Sequence, residues 1–171
     1  VRGNAETRRN LVTSIFLEPD NLERHIRKLE EKYKAAERNQ VRFENWRTDD
    51  AEIVLVGYGI VGRILKAAVE MARSRGMAVG LLRPITLYPF PAQPIRELAK
   101  HAKAFAVVEL STGQMVDDVR LALAGSAPVE FFSRVGGNAP AAEDVLAFLE
   151  HTFPGCFPQP LAGHVEELIH G

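Results

Sequence analysis

From residue 52 onward the chain carries four continuous apolar runs, at residues 53–56, 78–82, 105–108 and 129–132, whose starts lie about 25 residues apart. Continuous rather than alternating apolar residues predict strands buried on both faces. Helical patterns lie between the runs. The first turns Ile60, Val61, Ile64, Leu65 and Ala68 inward and Arg63, Lys66, Glu70 and Arg73 outward. Ile95, Leu98 and Ala99 mark the second, and Met115, Val116, Val119 and Leu123 the third. A closing helix behind Pro140 is marked by Val145, Phe148 and Leu149. Strands and helices alternating at this spacing predict βαβ units: a mainly parallel sheet with helices on both faces.

The stretch before residue 49 has another rhythm. Residues 1–19 are polar and irregular, with an apolar patch at Leu11, Val12, Ile15, Phe16 and Leu17. Pro19-Asp20 opens a predicted helix of about twenty residues, ending near Asn39. Its Leu22, Ile26, Leu29 and Tyr33 fall on one stripe, too short for a coiled coil, so a solvated helix resting on a neighbour is expected. Residues 41–46 alternate and predict an edge strand. Thr48-Asp49-Asp50 reads as a polar hinge, dividing a lead-in of residues 1–48 from an α/β domain of residues 49–153. Residues 154–171 read as a tail with a short amphipathic turn around Val165, Leu168 and Ile169.

Composition narrows the function classes. With 21 basic and 22 acidic residues the net charge is -1. That balance gives no electrostatic case for nucleic acid or an anionic membrane, and no apolar run reaches the ~18 residues of a membrane span. Val1-Arg2-Gly3-Asn4 has neither an initiator Met nor a signal-peptide pattern, as expected of a fragment of a longer protein. The one cysteine, Cys156, excludes an internal disulfide, a zinc site or an iron–sulfur cluster built from this chain; an inert loop thiol in a reducing, cytoplasmic compartment is expected. His25, His101, His151, His164 and His170 are scattered, and none is paired at metal-ligand spacing.

Gly57-Tyr58-Gly59-Ile60-Val61-Gly62 matches G-x-G-x-x-G between a strand and a helix, the context of a dinucleotide site. The acidic residue that such a site needs after the second strand is missing: none occurs from Met77 through Phe90. Arg83 there suits a 2′-phosphate, which keeps an independent NAD(P)-binding module as the alternative reading, against a plain strand-to-helix turn with Gly62 allowing close packing. Glu109 ends the third run and reads as an ordinary polar strand end rather than a base, since no nucleophile or His lies nearby in sequence. Ser111-Thr112-Gly113-Gln114 reads as an N-cap or a contact loop. Arg134-Val135-Gly136-Gly137-Asn138 reads as a glycine turn or a seat for an anion or a partner carboxylate. Gly57, Tyr58, Gly59, Arg83, Glu109, Thr112, Gln114, Arg134, Gly136 and Gly137 are therefore the candidate contact positions, all expected at the carboxyl edge of the sheet.

Four of these stretches carry a resemblance. Residues 51–59, 80–91 (Gly80-Leu81-Leu82-Arg83-Pro84-Ile85-Thr86-Leu87-Tyr88-Pro89-Phe90-Pro91), 108–120 (with Val108-Glu109-Leu110-Ser111-Thr112-Gly113-Gln114-Met115) and 133–137 resemble the C-terminal part of the alpha subunit of 2-oxoacid:ferredoxin oxidoreductases, closest to the 2-ketoisovalerate type. The likeness extends over about residues 9–152. It implies a transketolase C-terminal-like fold, a three-layer α/β/α domain whose sheet has about five strands, one antiparallel. It implies a parent complex that makes acyl-CoA, CO2 and reduced ferredoxin from a 2-oxoacid and CoA. That complex uses thiamine diphosphate, Mg and iron–sulfur clusters. The implied partners are a preceding pyrimidine-binding domain, beta and gamma/delta subunits, and ferredoxin. The family's cofactor-binding residues lie outside a segment of this kind, so the resemblance transfers no catalytic residue to this chain, which is expected to be inactive alone.

Overall fold

The computed structural model describes residues 3–12 and 14–156. The expected turn around Val165, Leu168 and Ile169 lies outside them. The chain divides into two compact units, Val1–Asn39 and Gln40–Gly171. In the first, a short 3-10 turn at Thr7–Asn10 precedes helix α1, Pro19–Asn39. Proline fits the first helical position because its missing N–H is one that the helix leaves unpaired. Pairs four residues apart, Glu23 with Arg27 and Glu30 with Lys34, line its exposed side. No residue of α1 is buried, and its stripe keeps Ile26 and Tyr33 about half exposed.

The second unit is a five-stranded sheet in the order β1-β3-β2-β4-β5. The strands are β1 Phe43–Trp46, β2 Ile53–Val56, β3 Val79–Pro84, β4 Ala104–Glu109 and β5 Val129–Ser133. Three pairings are parallel, and β1 runs antiparallel to β3, with Phe43 opposite Pro84 and Trp46 opposite Leu81. The unit thus begins upstream of the Thr48–Asp50 hinge, because β1 belongs to its sheet.

Strand geometry sends alternate side chains to opposite faces. Ile53, Leu55, Ala106 and Val108 pack under α2, Gly59–Ser74, and α5, Ala142–Thr152. Val54, Val56, Phe105 and Val107 pack under α3, Ala92–Leu98, and α4, Met115–Leu123. The outcome is three layers with two cores.

Three sequence expectations need correcting. Residues 129–132 do form a strand, but β5 is half-buried rather than enclosed, because it sits at the sheet's edge. Ile60 does not face the core; it is 55% exposed in the first turn of α2. Nor is Arg73 simply solvated. Its side chain is only 19% exposed and clamps the turn between β1 and β2. Nε donates to the Val79 carbonyl (2.7 Å) and Nη2 to the Arg47 carbonyl (2.8 Å). The same guanidinium meets Asp50 through two bonds of 2.6 and 3.1 Å, the strong bidentate form. The clamp fixes a turn in which Arg47 adopts φ +54, rare for a side chain other than glycine.

These ion pairs set a pH dependence. The hydrogen bond from Arg73 holds the Asp50 carboxyl below its ordinary range, and that from Lys66 does the same for Glu44. A carboxyl depressed by folding stabilises the fold above its unfolded pKa and loses that contribution as pH falls through the folded value. Stability should therefore decline as the pH drops below about 4. The double variant Glu44→Gln, Asp50→Asn should lose less than about 1 kcal/mol per pair at pH 7 and show a flatter acid limb. Urea midpoints at pH 7 and at pH 3.5 for both proteins check this.

Candidate functional site

Four loops meet at the carboxyl edge of the sheet, following β2, β3, β4 and β5. The strand order places β2 between β3 and β4, so chain leaving β2 and β4 diverges to either side, the topological switch point where α/β folds form crevices. A small hollow of about 100 Å³ lies there, lined by Tyr58, Gly59, Ile60, Val61 and Leu110.

The glycines of the G-x-G-x-x-G stretch have three separate reasons. A Cβ on Gly57 would stand 2.5 Å from Leu65 Cδ1 and 3.0 Å from Val61 Cγ1, so Gly57 is required by packing. Gly59 has φ +58 and opens α2 into free space. Gly62 leaves room for the Arg83 side chain, whose Cδ lies 2.8 Å from where its Cβ would be. Arg83 is thus directed away from the loops. It lies under α2, bonds Glu44 through Nη1 at 3.2 Å, and keeps a buried Nε without a hydrogen-bond partner. The hollow is well below the ~300 Å³ at which small-molecule pockets begin. Its lining is mostly aliphatic and includes no charged side chain.

Glu109 is far from an ordinary strand end. It is wholly buried. Its Oε1 accepts the Val116 N–H at 2.8 Å, and its Oε2 accepts those of Met115 (3.1 Å) and Gln114 (3.3 Å) and the Ser111 hydroxyl (2.9 Å). The carboxylate satisfies the first-turn N–H groups of α4, which have no partner inside the helix, and its charge suits that end of the helix dipole. The N-cap expected from Ser111–Gln114 is thus supplied from the strand; the side chain of Gln114, at the cap position, makes no capping bond. The sequence did carry a signal: one acid closing an apolar run, a short polar loop, then the apolar start of a helix.

The other candidates fall around this centre. Thr112 and Gln114 are exposed, and Leu110 is 38% exposed. The Arg134 N–H donates to the Glu109 carbonyl at 3.1 Å. Gly136 and Gly137 both adopt positive φ, in open space, and the Asn138 amide bonds the Val135 carbonyl at 3.2 Å. After β3, Thr86 takes a hydrogen bond from the Arg42 N–H and donates one to the Pro89 carbonyl, both 3.0 Å. Ile60, Ile85, Leu87, Tyr88, Leu110 and Val135, distributed over the segments that follow the four strands, are each partly exposed, Tyr88 at 65%. No group of three or more His, Cys, Asp or Glu placed to hold a metal occurs among the described residues. His101 Nε2 lies 3.0 Å from the Thr48 carbonyl, and His25 stacks on Phe16. Cys156 is half-buried against the α2–α5 core. No helix of the described residues is long and apolar enough to cross a membrane.

A mainly parallel five-stranded sheet with one antiparallel edge and helices on both faces defines a transketolase-like α/β domain. A split-gene transketolase, an inactive beta4 tetramer, shares the fold with a TM-score of 0.56 at 20% identity, over 64% of this chain and 40% of that one. The 2-oxoglutarate:ferredoxin oxidoreductase from Magnetococcus marinus, solved with 2-oxoglutarate, coenzyme A and succinyl-CoA bound, shares it with a TM-score of 0.65 at 16% identity, over 80% of this chain and 24% of that one. Residues 51–145 match the model of pyruvate:ferredoxin oxidoreductase core domain II, and the chain belongs to that family. It is 54% identical over 146 residues to the ketoisovalerate oxidoreductase subunit VorB of Methanothermobacter thermautotrophicus, covering 85% of this chain and 41% of that protein. The chain therefore spans about two fifths of the length of that curated relative.

Proposed function

We propose that this chain is the assembly domain of a subunit of a 2-ketoisovalerate:ferredoxin oxidoreductase. The observation that carries this reading is the 54% identity to a ketoisovalerate oxidoreductase subunit across 85% of the chain. The parent complex converts the 2-oxoacid and CoA to acyl-CoA and CO2 and delivers the electrons to ferredoxin. Thiamine diphosphate with Mg supplies the carbanion chemistry there, and iron–sulfur clusters carry the electrons. Residues 1–39 serve as the lead-in from a preceding pyrimidine-binding domain. The carboxyl-edge loops, with Gly59, Thr112, Gln114 and Arg134 exposed and Tyr58 half-buried, face that domain or a beta or gamma/delta subunit. Partly exposed apolar side chains on the segments after all four strands support a contact role. The single cysteine fits a reducing cytoplasmic setting.

The test is a graft. Residues 51–145 replace the matching segment of the Methanothermobacter subunit, which is co-expressed with its partner subunits. The expected product is an assembled complex that reduces ferredoxin with 2-ketoisovalerate and CoA. A graft that folds but does not co-purify with the partners overturns the reading.

A further inference from the structure

Strand β1 joins the sheet without joining its cores. None of residues 40–46 is buried, and the family match begins after them, at residue 51. Apart from the backbone ladder to β3, β1 is fastened by charge. The Glu44 carboxylate accepts hydrogen bonds from Lys66 of α2 and Arg83 of β3, and the three side chains are each about one third exposed. Lys66 also stands over the Trp46 ring, 4.8 Å from its centre. One turn further along α2, Glu70 takes two bonds from Arg47, of 2.8 and 3.2 Å. The chain just beyond is held by burial instead. Thr48 and Ala51 are 4% and 1% exposed, the Thr48 carbonyl meets the Ala51 N–H and His101 Nε2, and Arg73 clamps the turn. At the border between the two parts stands Arg47, with the φ of +54 that side-chain-bearing residues rarely adopt. The closed strand also keeps the Arg83 Nε buried without an acceptor, which is unfavourable. Both costs are relieved if residues 40–46 swing out about Arg47 while Thr48 stays in place.

We propose that residues 40–46 are a releasable strap, latched by Glu44 on Lys66 and Arg83 and pivoting at Arg47. Release is a local opening, of the kind that occurs well below the free energy of global unfolding. It bares the edge of β3 and adds residues 40–46 to the chain that joins the α/β unit to the unit Val1–Asn39. The strap thus sets the length of that connection. Ionic strength biases it, because salt screens charges that are partly exposed, whereas the apolar cores of β2 to β5 hold without them.

The test is hydrogen exchange on the full chain, read as protection factors. The reporters are the amides of β1 and those of Ile85 and Thr86, which donate to the Arg42 carbonyl at 3.0 and 3.1 Å. Raising NaCl from about 0.1 to about 1 M shortens the screening length from ~10 to ~3 Å. Protection at the reporters should then fall about fivefold, while that of β2 and β4 stays within about twofold. Glu44→Gln removes the latch charge. It should lower the reporters about as far at the lower salt and respond to added salt by less than about twofold. Lys103→Gln, which breaks the exposed pair with Glu52 ahead of β2 and β4, is the control and should leave the reporters within about twofold of the wild type. The strap is overturned if the reporters keep their protection at the higher salt, or if β2 and β4 lose theirs in step. The latch is overturned if Glu44→Gln exchanges like the wild type, if salt acts on it as strongly as on the wild type, or if Lys103→Gln has the same effect.

Discussion

Phe105→Ala should destabilise the α/β unit by about 3–5 kcal/mol, the usual cost of truncating a buried aromatic side chain. Phe105 is the largest fully buried side chain among the described residues, at 0% exposure in β4, an inner strand between β2 and β5. It packs in the core beneath α3 and α4 with Val54, Val56, Leu82 and Ile95. These neighbours are fixed on strands and helices, so the vacated volume cannot collapse. A loss of this size consumes a large part of the ~5–15 kcal/mol that holds an ordinary domain folded. Urea denaturation followed by circular dichroism should show a lower midpoint at an unchanged slope. A loss under about 1 kcal/mol would mean that the core beneath α3 and α4 is not packed as described.

The second large effect is expected at Gly80, which no motif marks out. A Cβ at this position would lie 2.6 Å from the Arg47 carbonyl oxygen, 2.9 Å from Ala51 Cβ and 3.0 Å from Thr48 Cα. Two of these are backbone atoms of the turn that Arg73 clamps, so no side-chain rotation relieves the clash. Gly80→Val should cost about 3 kcal/mol or more, beyond ordinary overpacking. The damage should be local first: the turn is pushed outward and β1 loses its register with β3. Hydrogen exchange should therefore quicken at the β1 amides before those of β2 and β4. Equal protection of β1 in variant and wild type would contradict the packing at the turn.

The sheet was legible because four apolar runs recur with helices between them, and burial on both faces leaves little room for polar residues in β2, β3 and β4. The edge strand β5 was read with them on the strength of Val129, Phe131 and Phe132, although Glu130, exposed in the structure, interrupts its run. Ile60 misled for a related reason: helical periodicity gives a face but not the end of the core, and the first turn of α2 projects beyond the sheet. Glu109 and Arg73 were hidden more deeply. Each acts on backbone groups brought close by folding, and a carbonyl or an N–H leaves no mark in a sequence. The glycine stretch showed the reverse problem. Gly57, Gly59 and Gly62 fulfil a nucleotide motif letter by letter, yet packing, a positive φ and room for Arg83 account for all three.

The antiparallel edge has a consequence for how the chain is made. Strand β1 leaves the ribosome well before β3, since Phe43 pairs with Pro84, which lies 84 − 43 = 41 positions later. At ~5–20 residues per second of synthesis, β1 spends seconds without its partner. Strand β2 waits less, since Ile53 pairs with Val79, 79 − 53 = 26 positions later, and β3, β4 and β5 each emerge after a strand with which they pair. The nascent strand is therefore the segment most open to wrong pairing, and Arg42, Glu44 and Asn45 put polar and charged groups along it, a composition that discourages edge-to-edge association until β3 arrives.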